Sequence, residues 1–240
     1  MPGLYKDEGI VLKTIKLGEA DRIVTLFTRD NGKVRAVAKG IRKTKSRFGG
    51  RLEPFNRVEL MIYRGRSLDT ITAAHIVDAY DDVRRDLTRL TSASALVELV
   101  EKITPDRERA FSTYGLLIGG LRALAEDKGG TIVPAFLVKL LSVSGYHPEL
   151  SVCAGCGEGG LLGGFSPALG GAVCQGCWHE DADSFAMTDD RLLLMRRLLQ
   201  ADFGLAAPDD VAGEITQALR RYAEYHLERP LRTLQMLRAV

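Results

Sequence analysis

The chain has 240 residues, of which 45% are hydrophobic and 27% charged, a composition for one or two folded domains and not for a disordered chain. Thirty-three basic against 31 acidic residues give a net charge of +2, and no apolar run approaches the roughly 18 residues of a helical membrane span. The stretch Met1 to Glu8 has no apolar signal core, so a cytoplasmic protein is expected.

The charge is unevenly distributed. Residues 1–82 hold 16 Lys and Arg against 11 Asp and Glu, a net of +5, which leaves 17 against 20 for the remainder. Within this basic third, short segments rich in Ile, Val, Thr and Leu predict five strands: Glu8–Lys16, Arg22–Thr28, Gly32–Ala38, Arg57–Tyr63 and Asp69–Val77. Asn31-Gly32 tolerates positive φ and suits a tight hairpin between the second and third, and Arg64-Gly65-Arg66-Ser67 turns between the fourth and fifth. In the third strand Val34, Ala36 and Ala38 alternate with Lys33, Arg35, Val37 and Lys39, giving one core face and one largely cationic face. Five short strands in so few residues fit a small closed barrel such as an OB-fold, a frequent binder of oligonucleotides.

Between the third and fourth strands lies Lys39-Gly40-Ile41-Arg42-Lys43-Thr44-Lys45-Ser46-Arg47-Phe48-Gly49-Gly50-Arg51. Its six cations, Lys39, Arg42, Lys43, Lys45, Arg47 and Arg51, have no acid among them. Such a run alone is compatible with a solvated loop; its density makes an external polyanion the natural counter-charge.

After Asp82 the apolar spacing becomes helical: Leu96, Leu99, Val100 and Ile103, then Leu117, Leu121 and Leu124, then Phe136, Leu137, Leu140 and Leu141. Pro105 and Gly129-Gly130 punctuate these helices, and helical spacing resumes after Thr188, an N-cap candidate. Two domains are expected, 1–82 and 83–240, the second interrupted at about residues 150–181.

That interruption holds all four cysteines, in Cys153-Ala154-Gly155-Cys156 and Cys174-Gln175-Gly176-Cys177, with 17 residues between the pairs. Two Cys-x-x-Cys pairs at this spacing suit a tetrahedral, structural Zn²⁺ site. Disulfides, an iron–sulfur cluster and a redox dithiol are the competing readings, and His179 is a spare ligand candidate. No phosphate-binding loop, dinucleotide fingerprint or nucleophile elbow is present. The four histidines are scattered, and the pairs Asp81-Asp82, Asp189-Asp190 and Asp209-Asp210 sit where they favour helix starts.

Taken together, the segment Lys39 to Phe55, the opening Gly9-Ile10-Val11-Leu12, the stretch Gly18-Glu19-Ala20-Asp21-Arg22-Ile23-Val24, the cysteine pairs and the closing Tyr225-His226-Leu227-Glu228-Arg229-Pro230-Leu231-Arg232 resemble, in that order, the RecO family of bacterial recombination mediators. The resemblance implies an N-terminal OB-fold, a five-stranded barrel, then an α-helical domain with an inserted zinc-finger-like Cys₄ segment, and no enzymatic turnover. It implies DNA repair in the RecF pathway, near the nucleoid: binding of single- and double-stranded DNA, annealing of complementary strands, and cooperation with RecR in loading RecA onto DNA coated by single-strand-binding protein, whose acidic, apolar tail is expected in the helical domain. It places DNA contacts on Lys39, Arg42, Lys43, Lys45, Arg47 and Arg51, with Arg35 and Arg57 as extensions and Phe48 either stacking on a base or packing on the barrel. A zinc-ribbon RNA-binding or transcription-associated adaptor is the alternative.

Overall fold

The computed structural model describes residues 3–179 and 181–237. Strands β1 (Leu4–Leu17), β2 (Asp21–Thr28), β3 (Gly32–Ala38), β4 (Arg57–Tyr63) and β5 (Asp69–Asp78) form a closed barrel in the order β1-β2-β3-β5-β4. The barrel is OB-like, as expected. It closes by antiparallel pairing of β1 with β4 and by a short parallel contact of β3 with β5. β1 begins four residues before the predicted start because Leu4 to Asp7 pair with Tyr63 to Leu60. Leu4 is exposed there, so no apolar alternation marks the extension.

Alternate residues fill the barrel: Val11, Val24, Leu26, Val58, Leu60, Ile62 and Ile71 point inward. The β3–β4 connection seals it. Leu52 and Phe48 insert into the same core and are almost fully buried. Backbone pins hold that connection: the Gly40 N–H donates to Asp21 Oδ1 (2.7 Å), the Arg42 N–H to the Ala20 carbonyl (3.0 Å), and the Asn56 amide to the carbonyls of Gly50 and Arg51 (3.0 and 3.1 Å). The basic run is therefore a folded lid.

The chain then becomes helical, with α1 (Asp81–Arg85), α2 (Leu87–Ile103), α3 (Phe111–Ala125) and α4 (Ile132–Val143). Nine of the twelve residues of α4 are buried, as befits a central helix that packs on α2, α3 and two later helices, α6 (Asp189–Gln200) and α7 (Asp209–Leu227). The predicted acidic pairs occupy the first turns of α1, α6 and α7. Between α4 and α6 lie β6 (Leu162–Ser166), β7 (Gly171–Cys174), α5 (Gln175–Trp178) and β8 (Phe185–Ala186), the strands forming a sheet of order β7-β6-β8. α8 (Arg232–Met236) follows α7 and packs on α2.

The outer face of the barrel is shared. Cross-strand partners Ile10–Phe27–Lys33 form one outward row, and Ile10, Leu12 and Phe27 join the helical core, Phe27 lying 6.2 Å from the Tyr114 ring. Polar contacts lock the junction. Lys33 Nζ donates to the Glu101 and Thr104 carbonyls at the end of α2, both 2.7 Å, and pairs with Asp106 at 3.2 Å; a cation there also meets the negative end of the helix dipole. Glu8 accepts from Arg57 (2.7 Å) and Tyr114 (2.9 Å). The buried carboxylate of Asp69 accepts from Tyr5 (2.8 Å), Arg107 (2.9 Å) and the Gly65 N–H (3.0 Å).

Burial opposes ionisation of Glu8 and of Asp69, yet the donors around each overcome it and hold both carboxyls below their ordinary range. A depressed carboxyl stabilises the fold fully above its unfolded-state value, and that contribution is lost as pH falls through the folded value. Thermal stability is therefore expected to decline from about pH 4 downward. Glu8→Gln should lower the neutral-pH plateau and flatten the acid limb. An acid limb as steep as that of the native protein would mean that Glu8 contributes nothing to it.

Candidate functional site

All six side chains of the basic run are exposed on the lid, and none forms an ion pair among the described residues. Two are braced by the backbone: Arg42 donates to the Gly18 carbonyl (3.2 Å), and Arg51 to those of Arg47 and Phe48 (3.1 and 3.2 Å). The Arg47 guanidinium sits 4.9 Å from the centroid of the Phe48 ring. The lid thus fans uncompensated positive charge over one end of the barrel. Phe48, at 1% exposure, is a core residue and offers no free ring for stacking.

Three further cations divide differently from the alternation in β3. Arg35 is exposed on the outer face, and Lys39 follows at the end of the same strand. Lys33 is occupied by the helix end described above. Arg57 does not extend the basic surface, because Glu8 neutralises it and Tyr114 packs beside that pair at the junction.

Where α2 leaves the barrel, an open cleft of 1090 Å³ separates the two. Its floor is the outward row Lys13–Thr25–Arg35. Its walls are α2 and the closing segment, with Arg229, Pro230 and Arg232. Residues so far apart in sequence give no local signal of a shared surface.

The cysteines converge as the spacing predicts. One sulfur atom from each of Cys153, Cys156, Cys174 and Cys177 lies within 4.8 Å of the other three, and Cys156 and Cys174 are 3.9 Å apart. A tetrahedron of four thiolates at about 2.3 Å from an ion has edges of about 3.8 Å, so the set fits a metal ion. Local backbone builds the first corner: the Gly157 N–H donates to the Cys153 carbonyl (2.8 Å) and the Cys153 N–H to the Glu158 carbonyl (3.0 Å). A Cβ on Gly155 would stand 3.0 Å from Cys177 Sγ, so glycine permits the close approach of the two pairs. The Cys174 N–H donates to Cys153 Sγ (3.3 Å). Burial works against the Cys153 thiolate, yet N–H donors from Cys156, Cys174 and Gly155 bring its pKa down to about 6. His179 stands outside the cluster, with its ring stacked on Trp178 (5.5 Å, 15°).

This segment is anchored to the helical core. Phe165 of β6 packs against Phe185 and against Tyr222 of α7, with centroids 5.8 and 5.6 Å apart. Glu149, ahead of the first cysteine, exchanges backbone hydrogen bonds with Gly170 and Ala172. Four sulfur donors would fill a tetrahedral shell and leave no position for a reacting molecule.

Two family models match the chain, one described as Recombination protein O N terminal over residues 1–80 and one as Recombination protein O C terminal over residues 84–235. Curated relatives are similar along nearly their whole length. A DNA repair protein RecO of Bifidobacterium adolescentis is 42% identical over 245 residues, covering 98% of this chain and 99% of its own. Another of Frankia casuarinae is 44% identical over 243 residues, covering 98% of each. A third, of a Nocardioides species, is 40% identical over 240 residues, covering 96% of this chain and 98% of its own.

Proposed function

The chain belongs to the RecO family of DNA repair proteins, and from that premise we propose that it is a recombination mediator that binds single- and double-stranded DNA and anneals complementary strands. With RecR it helps load RecA onto DNA coated by single-strand-binding protein, working in the cytoplasm at the nucleoid. Residues 1–82 are its nucleic-acid-binding domain and residues 83–240 its helical domain. The observation that carries this reading is the lid: six exposed cations, without acidic partners among the described residues, fixed on an OB-like barrel. Lys39, Arg42, Lys43, Lys45, Arg47 and Arg51 contact phosphates, which attract by charge and carry no sequence information. Cys153, Cys156, Cys174 and Cys177 hold a structural Zn²⁺ that takes no part in strand exchange. No helix of the described residues is long and apolar enough to cross a membrane.

The test is annealing of two complementary strands coated by single-strand-binding protein, with the native protein and with Arg42→Ala/Lys43→Ala. The native protein should accelerate annealing and the folded variant should not. Six contacts to single-stranded DNA predict a slope of log K against log salt of about −4, reduced in magnitude by about 1.4 in the double variant. An unchanged slope removes the lid from the site. A native protein that binds DNA without accelerating annealing removes the mediator role.

A further inference from the structure

The cleft between barrel and helices is electrostatically unfinished. Among the described residues it holds three acids, and each is already engaged: Glu98 pairs with Lys102 at 3.0 Å, Glu101 with Lys13 at 3.8 Å, and Asp106 with Lys33 at 3.2 Å. Three exposed arginines on the same surface, Arg35, Arg229 and Arg232, have no acidic partner among the described residues. One lies on the barrel floor and two on the opposite wall. Unpaired positive charge thus lines both sides of the cleft, and an anion lying between them would be stabilised by both.

The cleft is also continuous with the lid. Arg35 and Val37 point outward along β3, and Lys39 follows directly, where the lid begins. The adjacent row, Ile15–Ile23–Val37, leaves Ile15 42% exposed, a surface for the apolar faces of sugars and bases. Phe55 is the one aromatic side chain lining the cleft among the described residues, and at 5% exposure it is not free to stack. A volume of 1090 Å³ is close to the upper limit of small-ligand pockets, about 1000 Å³. It is large enough for a few nucleotides of a single strand.

We propose that this cleft is a second contact site for the single strand held by the lid, with Arg35, Arg229 and Arg232 on its phosphates. The proposal rests on the reading of the lid as a DNA contact and extends it: one strand runs from the lid along β3 and passes under the closing segment. That segment is built for the purpose by its backbone. The Leu231 N–H donates to Glu224 (2.7 Å), and the N–H groups of Arg232 and Thr233 donate to Glu98 (3.2 and 2.7 Å). Glu98 is correspondingly held below its ordinary range: burial opposes this, and Thr233 and Lys102 outweigh it. Because backbone groups position the segment, the two arginine side chains are available to a ligand, and their removal is expected to leave the fold intact.

The experiment is a salt titration of a fluorescent oligo-dT of about 30 nucleotides, roughly twice the longest site of one OB fold, with the native protein, Arg229→Ala/Arg232→Ala, and Arg42→Ala/Lys43→Ala. The cleft variant should lose about 1.4 from the salt slope and bind about 25-fold more weakly at 0.1 M salt, at roughly 0.7 in slope per contact. Arg229→Lys/Arg232→Lys should restore most of that slope, which a merely misfolded segment would not. A cleft variant with the native slope overturns the proposal, whatever the lid variant does. A lid variant with the native slope overturns the reading of the lid and leaves the cleft to be judged on its own loss. If the cleft variant keeps its DNA slope but loses binding to fluorescent polyglutamate, the groove is for an acidic peptide and the proposal is wrong.

Discussion

Cys153→Ser is expected to abolish binding of the zinc proposed for the cluster, about one ion per chain, and to lower the melting temperature by roughly 8–16 °C. The figure takes a loss of about 4 kcal/mol, the lower edge of the large effects among which loss of a metal counts, at about 2–4 °C per kcal/mol for a chain of this size. Cys153 is the buried member of the set, 1% exposed, so an unmatched ligand there is left inside the helical core. The consequences spread because Leu162, Phe165, Ala172 and Val173, on the hairpin between the two cysteine pairs, belong to that core. Loss of the proposed ion should loosen the hairpin and, with it, the packing of Phe165 on Tyr222 of α7. A chelator should act in the same direction, and DNA binding by the lid should survive at temperatures where the protein stays folded. Metal analysis by mass spectrometry together with calorimetry checks the result. A metal-free variant that melts with the native protein would show that the ion braces nothing, and a brown, iron-containing native protein would replace zinc by a cluster.

Gly32→Ala should cost roughly 2–5 kcal/mol, from about 1–2 for a left-handed backbone on a residue with a Cβ and about 1–3 for overpacking. Gly32 has φ +63, and an added Cβ would fall on the Glu108 carbonyl and 2.9 Å from its nitrogen. The segment joining α2 to α3 runs beside β3 at this point, where the Arg107 N–H donates to the Lys33 carbonyl (2.9 Å). Pushing it away also strains the Arg107–Asp69 and Arg109–Asp30 pairs, at 2.9 and 3.3 Å. Loosening of the barrel from the helices should appear as faster proteolysis within residues 104–110. Gly18→Ala is the matched control: φ is +56 but nothing lies within 4 Å of the new Cβ, so only the backbone cost of about 1–2 kcal/mol applies. Equal melting temperatures for the two variants would contradict the contact with Glu108.

The difference between these glycines illustrates which parts of the molecule are legible in the sequence. The barrel strands announce themselves through alternation, because one face of each is buried; the hairpin at Asn31-Gly32 follows from local turn chemistry. What local chemistry does not reveal is that Gly32 also makes room for residue 108. The cysteine cluster is legible because its members come in two close pairs, each fixed by a short turn. For the cations the limit is different. Lys33, Arg35, Lys39 and Arg57 look alike in sequence, and only partners from other elements separate them: Asp106 and the end of α2 capture Lys33, Glu8 captures Arg57, and Arg35 and Lys39 have no acidic partner among the described residues. Phe48 shows the same dependence, since its place in the barrel core is set by the path of the lid. The cleft has no sequence signature at all, because its floor and walls are joined only by tertiary packing, of the first strand on α2 and of the last segment on α2 and α7.

The shared outer face of the barrel has a consequence for how the chain is made. Ile10, Leu12 and Phe27 emerge from the ribosome within the first 27 residues, but the helices that cover them, α2 and α3, begin at Leu87 and Phe111. During synthesis at roughly 5–20 residues per second, a completed barrel presents a greasy flank for several seconds before its cover arrives. A polypeptide terminated after Asp78 would present it permanently. Such a fragment is expected to self-associate and to bind a hydrophobic dye, and replacing Phe27 by a polar residue should cure the fragment while weakening the full-length protein.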